Sequence, residues 1–475
     1  MPQPDSIHVL FDLRWMKLGR AGGIEQATHE LINALAGLDR RNRYTLYCPR
    51  GTYYELDLPD GFTPTVRFSD RAEVARRHLR SPVENGLPAA DLVHSFTGYS
   101  ESDLIDRQGV LTVSDLLHLH HPEFFTEQDL AIRARRDRES FPQAKHIICV
   151  SEFTRQDVHR RLGVPLEKLT TIGNIPAGYA RTKLDPVRQG RILSGLGLSG
   201  PFVFFPAHPW PHKNHHRLLQ AWETVRSSLP AGWKLVLTGR AFPDDHPAAA
   251  LLHRQHDAGI TLHLGYRSPL EMQALLHGCE GLVFPSLFEG FGMPVAEAIV
   301  AGKPVACSRS TSLPEIAGEA AEYFDPLSVD DMARALRGLL TDEVLRQRLL
   351  TEGKARQARF EPQAVAAATL GVYLRVAGHT ADEADAEVAE LKEEADRRSA
   401  PVPSLRLARA RHHARAAEVA LRRFKIMAAA SHISVTCVFS PAMAWNRFLL
   451  ALVCHGEVVI RRILSNKAVS SVPAP

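Results

Sequence analysis

No pair of cysteines in this sequence has Cys-x-x-Cys spacing. The six (Cys48, Cys149, Cys279, Cys307, Cys437 and Cys454) are scattered, which argues against a zinc cage or a redox motif and for reduced thiols of a cytosolic protein. Charge of one sign is lacking too. Lys and Arg number 57 against 53 Asp and Glu, a formal balance of +4, which gives no reason to expect nucleic acid as a partner. The segment Met1–Ser6 has no charged head followed by an apolar core, so no signal peptide is expected. What is present is length: 475 residues exceed one ordinary core, and two domains are the expectation.

Short apolar runs alternate with amphipathic helices, the pattern of a parallel α/β fold. The first run, Ile7–Phe11, precedes the glycines Gly19, Gly22 and Gly23 and a helix with Ala27, Leu31, Leu35 and Leu38 on one face. Further strands are expected at Tyr44–Cys48, Leu92–Ser95, Val110–Val113 and His146–Val150, after which Ser151 caps a helix ending before Gly163. Residues 174–200, rich in Gly and Pro and without a sustained apolar period, read as an interdomain linker. A second alternation follows, with strands at Phe202–Pro206, Lys234–Thr238, Ile260–Leu264, Gly281–Pro285 and Pro304–Cys307. Its helices carry Leu218, Leu219, Trp222 and Val225 on one face and span Val329–Leu340. The reading is two α/β lobes, residues 1–173 and 201–357, facing across a cleft.

The stretch from Phe284 to Ala298 carries the chemistry. A strand ending at Pro285 feeds a loop with Glu289, Gly290, Phe291, Gly292 and Met293, and Pro294 suits the first helical position. Glycines let backbone N–H groups approach an anion, and the helix N-terminus adds a field favouring it, so a pyrophosphate fits there. Glu297, placed in the first turn, has a carboxylate able to accept both hydroxyls of a ribose; Glu289 stands at the loop mouth, beside a sugar joined to that pyrophosphate.

This stretch resembles the E-x7-E motif of glycosyltransferase family 4, retaining enzymes of the GT-B fold. Other segments fit the resemblance. In Pro206–His215, Lys213 and Asn214 match, with Lys213 offsetting a donor phosphate, while His208 stands where the family has Arg. Histidine donates a hydrogen bond but is only partly protonated at neutral pH. Gly22 and Gly23 look like the glycine loop that covers the donor phosphates. In Val113–Glu123, Asp115 and Pro122 match, and Ser114 replaces the usual His; His118, His120 and His121 are candidates to substitute for it, or Ser114 to bond the sugar itself. Ile147–Thr154 matches the segment ending the first lobe, and residues 358–378 resemble the closing helix that crosses back to it.

The resemblance covers about residues 5–378. It implies transfer of a hexosyl group from a nucleotide-sugar to a glycan or lipid-linked glycan, with retention and with neither metal nor cofactor. The sequence has no Asp-x-Asp pair in a loop suited to a divalent cation. On this reading Glu289 orients sugar hydroxyls, Lys213 stabilises the leaving group, and Asp115 acts on the acceptor side as base or positioner. The Trp210–His215 and Asp115–Glu123 segments look like bacterial mannosyl- or rhamnosyltransferases of surface polysaccharide, which makes GDP-mannose the first donor to expect. A nucleotide-sugar epimerase or hydrolase of the same fold, and a non-catalytic nucleotide-sugar-binding protein, are the alternatives. Residues 379–475 form an extension with an acidic block, a basic block and an uncharged run, Ile426–Asn446. Its basic part, Arg406–Lys425, has the composition to lie on an anionic membrane surface, which places the protein in the cytoplasm with peripheral contact at the inner face of the plasma membrane.

Overall fold

The computed structural model describes residues 6–16, 22–49, 62–67, 90–100, 104 and 108–398, all in one compact unit. Gly19, the basic stretch Arg406–Lys425 and the run Ile426–Asn446 lie outside the described residues.

Two parallel sheets organise the chain. The first has the order β3-β2-β1-β4-β5-β6-β7. Its strands are β1 (His8–Asp12), β2 (Arg43–Pro49), β3 (Phe62–Arg67), β4 (Leu92–Ser95), β5 (Gly109–Val113), β6 (His146–Cys149) and β7 (Leu169–Thr171). The second has the order β10-β9-β8-β11-β12-β13. It comprises β8 (Phe202–Pro206), β9 (Lys234–Thr238), β10 (Thr261–His263), β11 (Gly281–Phe284), β12 (Val305–Ser308) and β13 (Ala321–Phe324). Strands such as Phe202–Phe205 and Leu282–Phe284 are buried throughout, because helices cover both faces of a parallel sheet. This is the two-lobed GT-B architecture. The chain order reverses at β1/β4 in one sheet and at β8/β11 in the other, and α/β sheets bind ligands where their strands diverge in this way.

The strands absent from the sequence reading are β3, β7 and β13. All three lie at sheet edges and β7 is only three residues long, so each carries little apolar signal. The linker reading of residues 174–200 needs correction. It contains helices Gly178–Arg181 and Pro186–Gly195, the second capped by Asp185, whose carboxylate accepts the Arg188 N–H at 3.0 Å. Leu193 and Leu196 of this segment pack on the core of the second lobe, so it belongs to that lobe more than it hangs between lobes.

The extension begins later than residue 379. Thr380 and Glu383 form a capping box that starts the helix Ala381–Arg397. Ala384, Val388 and Leu391 share one face of it and are buried with Ile32, Leu35 and Leu38 in the core of the first lobe. Arg41 pairs with Glu390 at 2.8 Å and also with Glu394. The acidic block is therefore the outer face of a docked helix. Helix Pro362–Val376 packs on the same lobe: Tyr373 reaches His94 on β4, its hydroxyl 2.6 Å from Nδ1, and burial pushes that imidazole down to about 3. Among the described residues, no helix is long and apolar enough to cross a membrane.

Candidate active site

The strands that diverge in the second sheet deliver the two loops of the site. After β8, residues 207–214 turn through the short helix Pro211–Lys213 and close at Asn214, held at φ 60°. Asn214 tolerates that left-handed backbone, and its amide donates to the Pro285 and Pro326 carbonyls at 3.1 and 2.7 Å. After β11, the Leu287 N–H and the Ser286 hydroxyl donate to the His212 carbonyl at 2.7 and 3.1 Å. These bonds place Lys213 Nζ 2.5 Å from Glu289 Oε1. Both side chains are mostly covered, at 17% and 12% exposure, so the pair is screened far less than a surface ion pair.

Beyond Glu289 the loop is built for close approach. Gly290 lies so tightly under the first lobe that a Cβ there would fall 1.6 Å from the Ser114 carbonyl oxygen. The Thr154 hydroxyl bridges the two lobes, 3.2 Å from the Ser114 carbonyl and 3.4 Å from that of Gly290. Phe291 is buried against Gly173, and Gly292 (φ 88°) begins the helix Met293–Val300. Helix numbering shifts two expectations. Met293 takes the first helical position and Pro294 the second, and Glu297 falls in the second turn, because the turn at Gly292 caps one residue earlier than Pro294 suggests. Across the cleft, Gly22 adopts φ 69° at the start of helix Gly23–Leu38, and a Cβ on Gly23 would touch Met293 Cγ at 3.5 Å. The glycine loop and the helix start therefore face each other at contact distance.

Glu297 is 6% exposed, and the Tyr179 hydroxyl and the Ala177 backbone lie near enough to its carboxylate to favour the charged form. Burial pushes the carboxyl up to about 7; Tyr179 and Ala177 oppose the rise and the nearby Glu30 adds to it. The sequence reading had a carboxylate open to a ribose, and Tyr179 went unmentioned.

His208 accepts the Arg240 N–H on Nδ1 at 3.1 Å, which leaves its proton on Nε2. Burial, then Arg240 and Lys213, lower its pKa, so it stands in the cleft as a neutral donor. Arg240 was missed by sequence reasoning. Gly239 (φ 133°) lets its peptide lie against Ala207, where a Cβ would come within 2.4 Å of the carbonyl oxygen, and this brings a permanent cation beside the histidine that replaces one.

The histidine cluster divides. His118 is held by Asp137 and His120 by Asp157, each at 2.8 Å, and the His120 ring also packs on Phe288 of the second lobe at 4.7 Å. His121 is 29% exposed, 3.0 Å from Glu123, and meets Phe288 edge-on at 5.9 Å, next to Glu289. His120 and His121 thus both meet the loop that carries Glu289, and His118 is the one turned into the first lobe. Asp115 is exposed beside Gly290 and spends one oxygen accepting the Leu117 N–H at 2.9 Å. Ser114 lines a small cleft with Ile24, Thr28, Phe96, Thr112 and Asn174. Among the described residues, no group of three or more His, Cys, Asp or Glu is arranged to hold a metal ion.

Known proteins extend this picture. Residues 21–175 match the model of Glycosyltransferase Family 4, and residues 194–356 that of Glycosyl transferases group 1. The chain is 28% identical over 272 residues to the O-antigen chain mannosyltransferase B of Escherichia coli, covering 56% of this chain and 70% of that protein. It is 25% identical over 349 residues to an Escherichia coli serotype-specific mannosyltransferase WbdA, covering 70% of this chain but 43% of that one, so it spans less than half of that relative's length. Among solved structures, WaaG, a glycosyltransferase involved in lipopolysaccharide biosynthesis, superposes with a TM-score of 0.58 at 15% identity, over 76% of this chain and 98% of that one. Anabaena Alr3699/HepE in complex with UDP and glucose gives 0.58 at 17% identity, over 77% and 99%. At such identity these two show the shared fold. A family 4 model on its first lobe and a group 1 model on its second together support placing the chain with the family 4 glycosyltransferases.

Proposed function

We propose that this glycosyltransferase moves a hexosyl group, mannose in the first instance, from a nucleotide-sugar to a glycan acceptor in polysaccharide synthesis, with retention at the anomeric carbon and without a metal. The carrying observation is the shielded Lys213–Glu289 pair at the mouth of the glycine loop, beneath the Ser114 carbonyl. The names of the relatives favour mannose; guanine is proposed as the donor base on the sequence resemblance of the Trp210–His215 and Asp115–Glu123 segments to bacterial mannosyl- and rhamnosyltransferases.

In this reading the donor pyrophosphate lies on the backbone amides of Gly290–Met293 and the start of their helix. Lys213 and Arg240 offset its charge as the bond to the sugar breaks, and neutral His208 donates from Nε2. Glu289, anchored by Lys213, orients sugar hydroxyls rather than attacking carbon. Glu297 meets the ribose by exchanging the Tyr179 hydroxyl for a ribose hydroxyl. Asp115 and His121 face the acceptor. Gly22 and Gly23 cover the donor from the first lobe and exclude water, which would otherwise compete with the acceptor.

Titration of GDP- and UDP-sugars into the purified chain, followed by transfer assays with each binder, tests this. GDP-mannose is expected to bind and transfer, and Glu297→Ala to weaken its binding at least about tenfold, the loss of a charge-assisted hydrogen bond. Binding of UDP-sugars alone overturns the donor. Release of free sugar with every acceptor tried overturns transfer.

A further inference from the structure

The segment Ser308–Ser312, which follows β12, has no role in the reading above, yet its hydroxyls converge on the Glu289 loop. Ser308 and Ser310 donate to the Ser286 carbonyl, the second at 2.9 Å. Thr311 Oγ1 accepts the Glu289 N–H at 2.9 Å, and the Ser312 hydroxyl donates to the Glu289 carbonyl at 2.9 Å. Both backbone groups of Glu289 are thus satisfied by side chains of two consecutive residues. In extended chain, consecutive side chains point to opposite faces and would not meet on one residue. They do so here because the backbone turns left-handed at Thr311, φ 47°.

That conformation is the informative detail. Among the described residues two that are not glycine have positive φ: Asn214, a type that tolerates it, and Thr311, a β-branched type that does not. Glycine would make the turn without steric cost. What glycine lacks is the hydroxyl. An outlier kept where an unstrained residue would serve the fold points to a task performed by the side chain.

We propose that Thr311 is a positioning residue for the transfer reaction: its strained turn and its hydroxyl, with Ser312, fix the peptide of Glu289, so that the carboxylate is set against Lys213 and the donor sugar before substrate arrives. This rests on the role given to Glu289 above. Thr311 acts through that residue and touches no substrate.

The test uses Thr311→Val, Thr311→Gly and Thr311→Ser in the full chain, with GDP-mannose as the probe. Thr311→Val keeps the branched shape and removes the acceptor; Thr311→Gly removes the strain and the acceptor; Thr311→Ser keeps the acceptor. In the first two, hydrogen exchange at the Glu289 amide is expected to accelerate, and kcat to fall about 10–100-fold with little change in donor KM, the scale of a misplaced reacting group. Thr311→Ser restores most of kcat. Thr311→Gly melts at or above the wild-type temperature, so that its loss of turnover is not loss of fold. Unchanged Glu289 exchange in Thr311→Val overturns the pin. Lost protection with wild-type kcat overturns its use in catalysis. A wild-type chain that turns over no donor overturns the transferase reading and the catalytic half of this one, while the exchange data still decide whether the pin exists.

Discussion

At the scale of single residues, the site is a set of ionisable groups whose surroundings set their charge. Lys213 and Glu289 pair in a covered place, and burial, then Arg240 and Lys213, lower the pKa of His208. Glu297 is the group most displaced from its ordinary behaviour. Its carboxyl rises from 4.5 to about 7 through burial, so the folded chain holds that proton where the unfolded chain has lost it. The sign follows: the fold loses stability as pH rises through the interval between the two values, and none of that loss is felt below it. Glu297→Gln removes the ionisation and keeps an acceptor for Tyr179. It is expected to melt above the wild type at pH 8, by up to about 3 kcal/mol, and to converge with it below pH 4.5. Melting curves across that range check it; a gap constant with pH would show that ionisation of Glu297 carries none of the difference.

At the scale of elements, the loop after β11 and the loop after β5 meet without room for a side chain. Gly290→Ala places a methyl group into the Ser114 carbonyl, a clash with backbone that no rotamer relieves. The two loops must part, and transfer is expected to fall by about two orders of magnitude, since a shift of an ångström at reacting groups costs that much. Donor binding, which also draws on Lys213, Arg240 and Glu297, is expected to weaken less than transfer. Calorimetry with GDP-mannose beside a transfer assay reads both, and wild-type transfer would mean that the Gly290–Ser114 contact is not part of the active form. The elements that carry these loops were legible in the sequence: β8, β9 and β11 are continuous apolar runs, and Gly290 and Gly292 mark the turn between strand and helix. The Ser308–Ser312 segment was not. Its serines and threonine read as ordinary loop, and what distinguishes them is a φ value and three partners more than twenty residues away.

At the scale of the molecule, the lobes are held together by more than the active-site loops. Glu315 of the second lobe accepts the N–H groups of Glu152 and Phe153 at 2.9 and 3.1 Å, capping a first-lobe helix, and pairs with Arg359 at 3.0 Å. The helix Pro362–Val376 returns the chain to the first lobe, and Ala381–Arg397 fastens it there. The lobes are therefore clasped away from the site as well, and the cations beside His208 are Lys213 after β8 and Arg240 after β9. Transfer measured after exhaustive chelation is expected to keep the untreated rate. Loss of activity restored by Mg²⁺ would remove the metal-free proposal.

The sequence by itself determined what is local: the strands long enough to show an apolar run, the helices with one apolar face, and the glycine and glutamate spacing around Phe291. These follow from period and residue type, which need no knowledge of distant partners. It also supplied Lys213 and Glu289, but not that they pair. Only the tertiary structure decided which of three neighbouring histidines meet the Glu289 loop, that Glu297 is buried near Tyr179, that Arg240 stands beside His208, and that an acidic stretch is a docked helix. Each of those outcomes is set by burial and by a partner brought from far along the chain, and neither quantity exists until the sheets have formed.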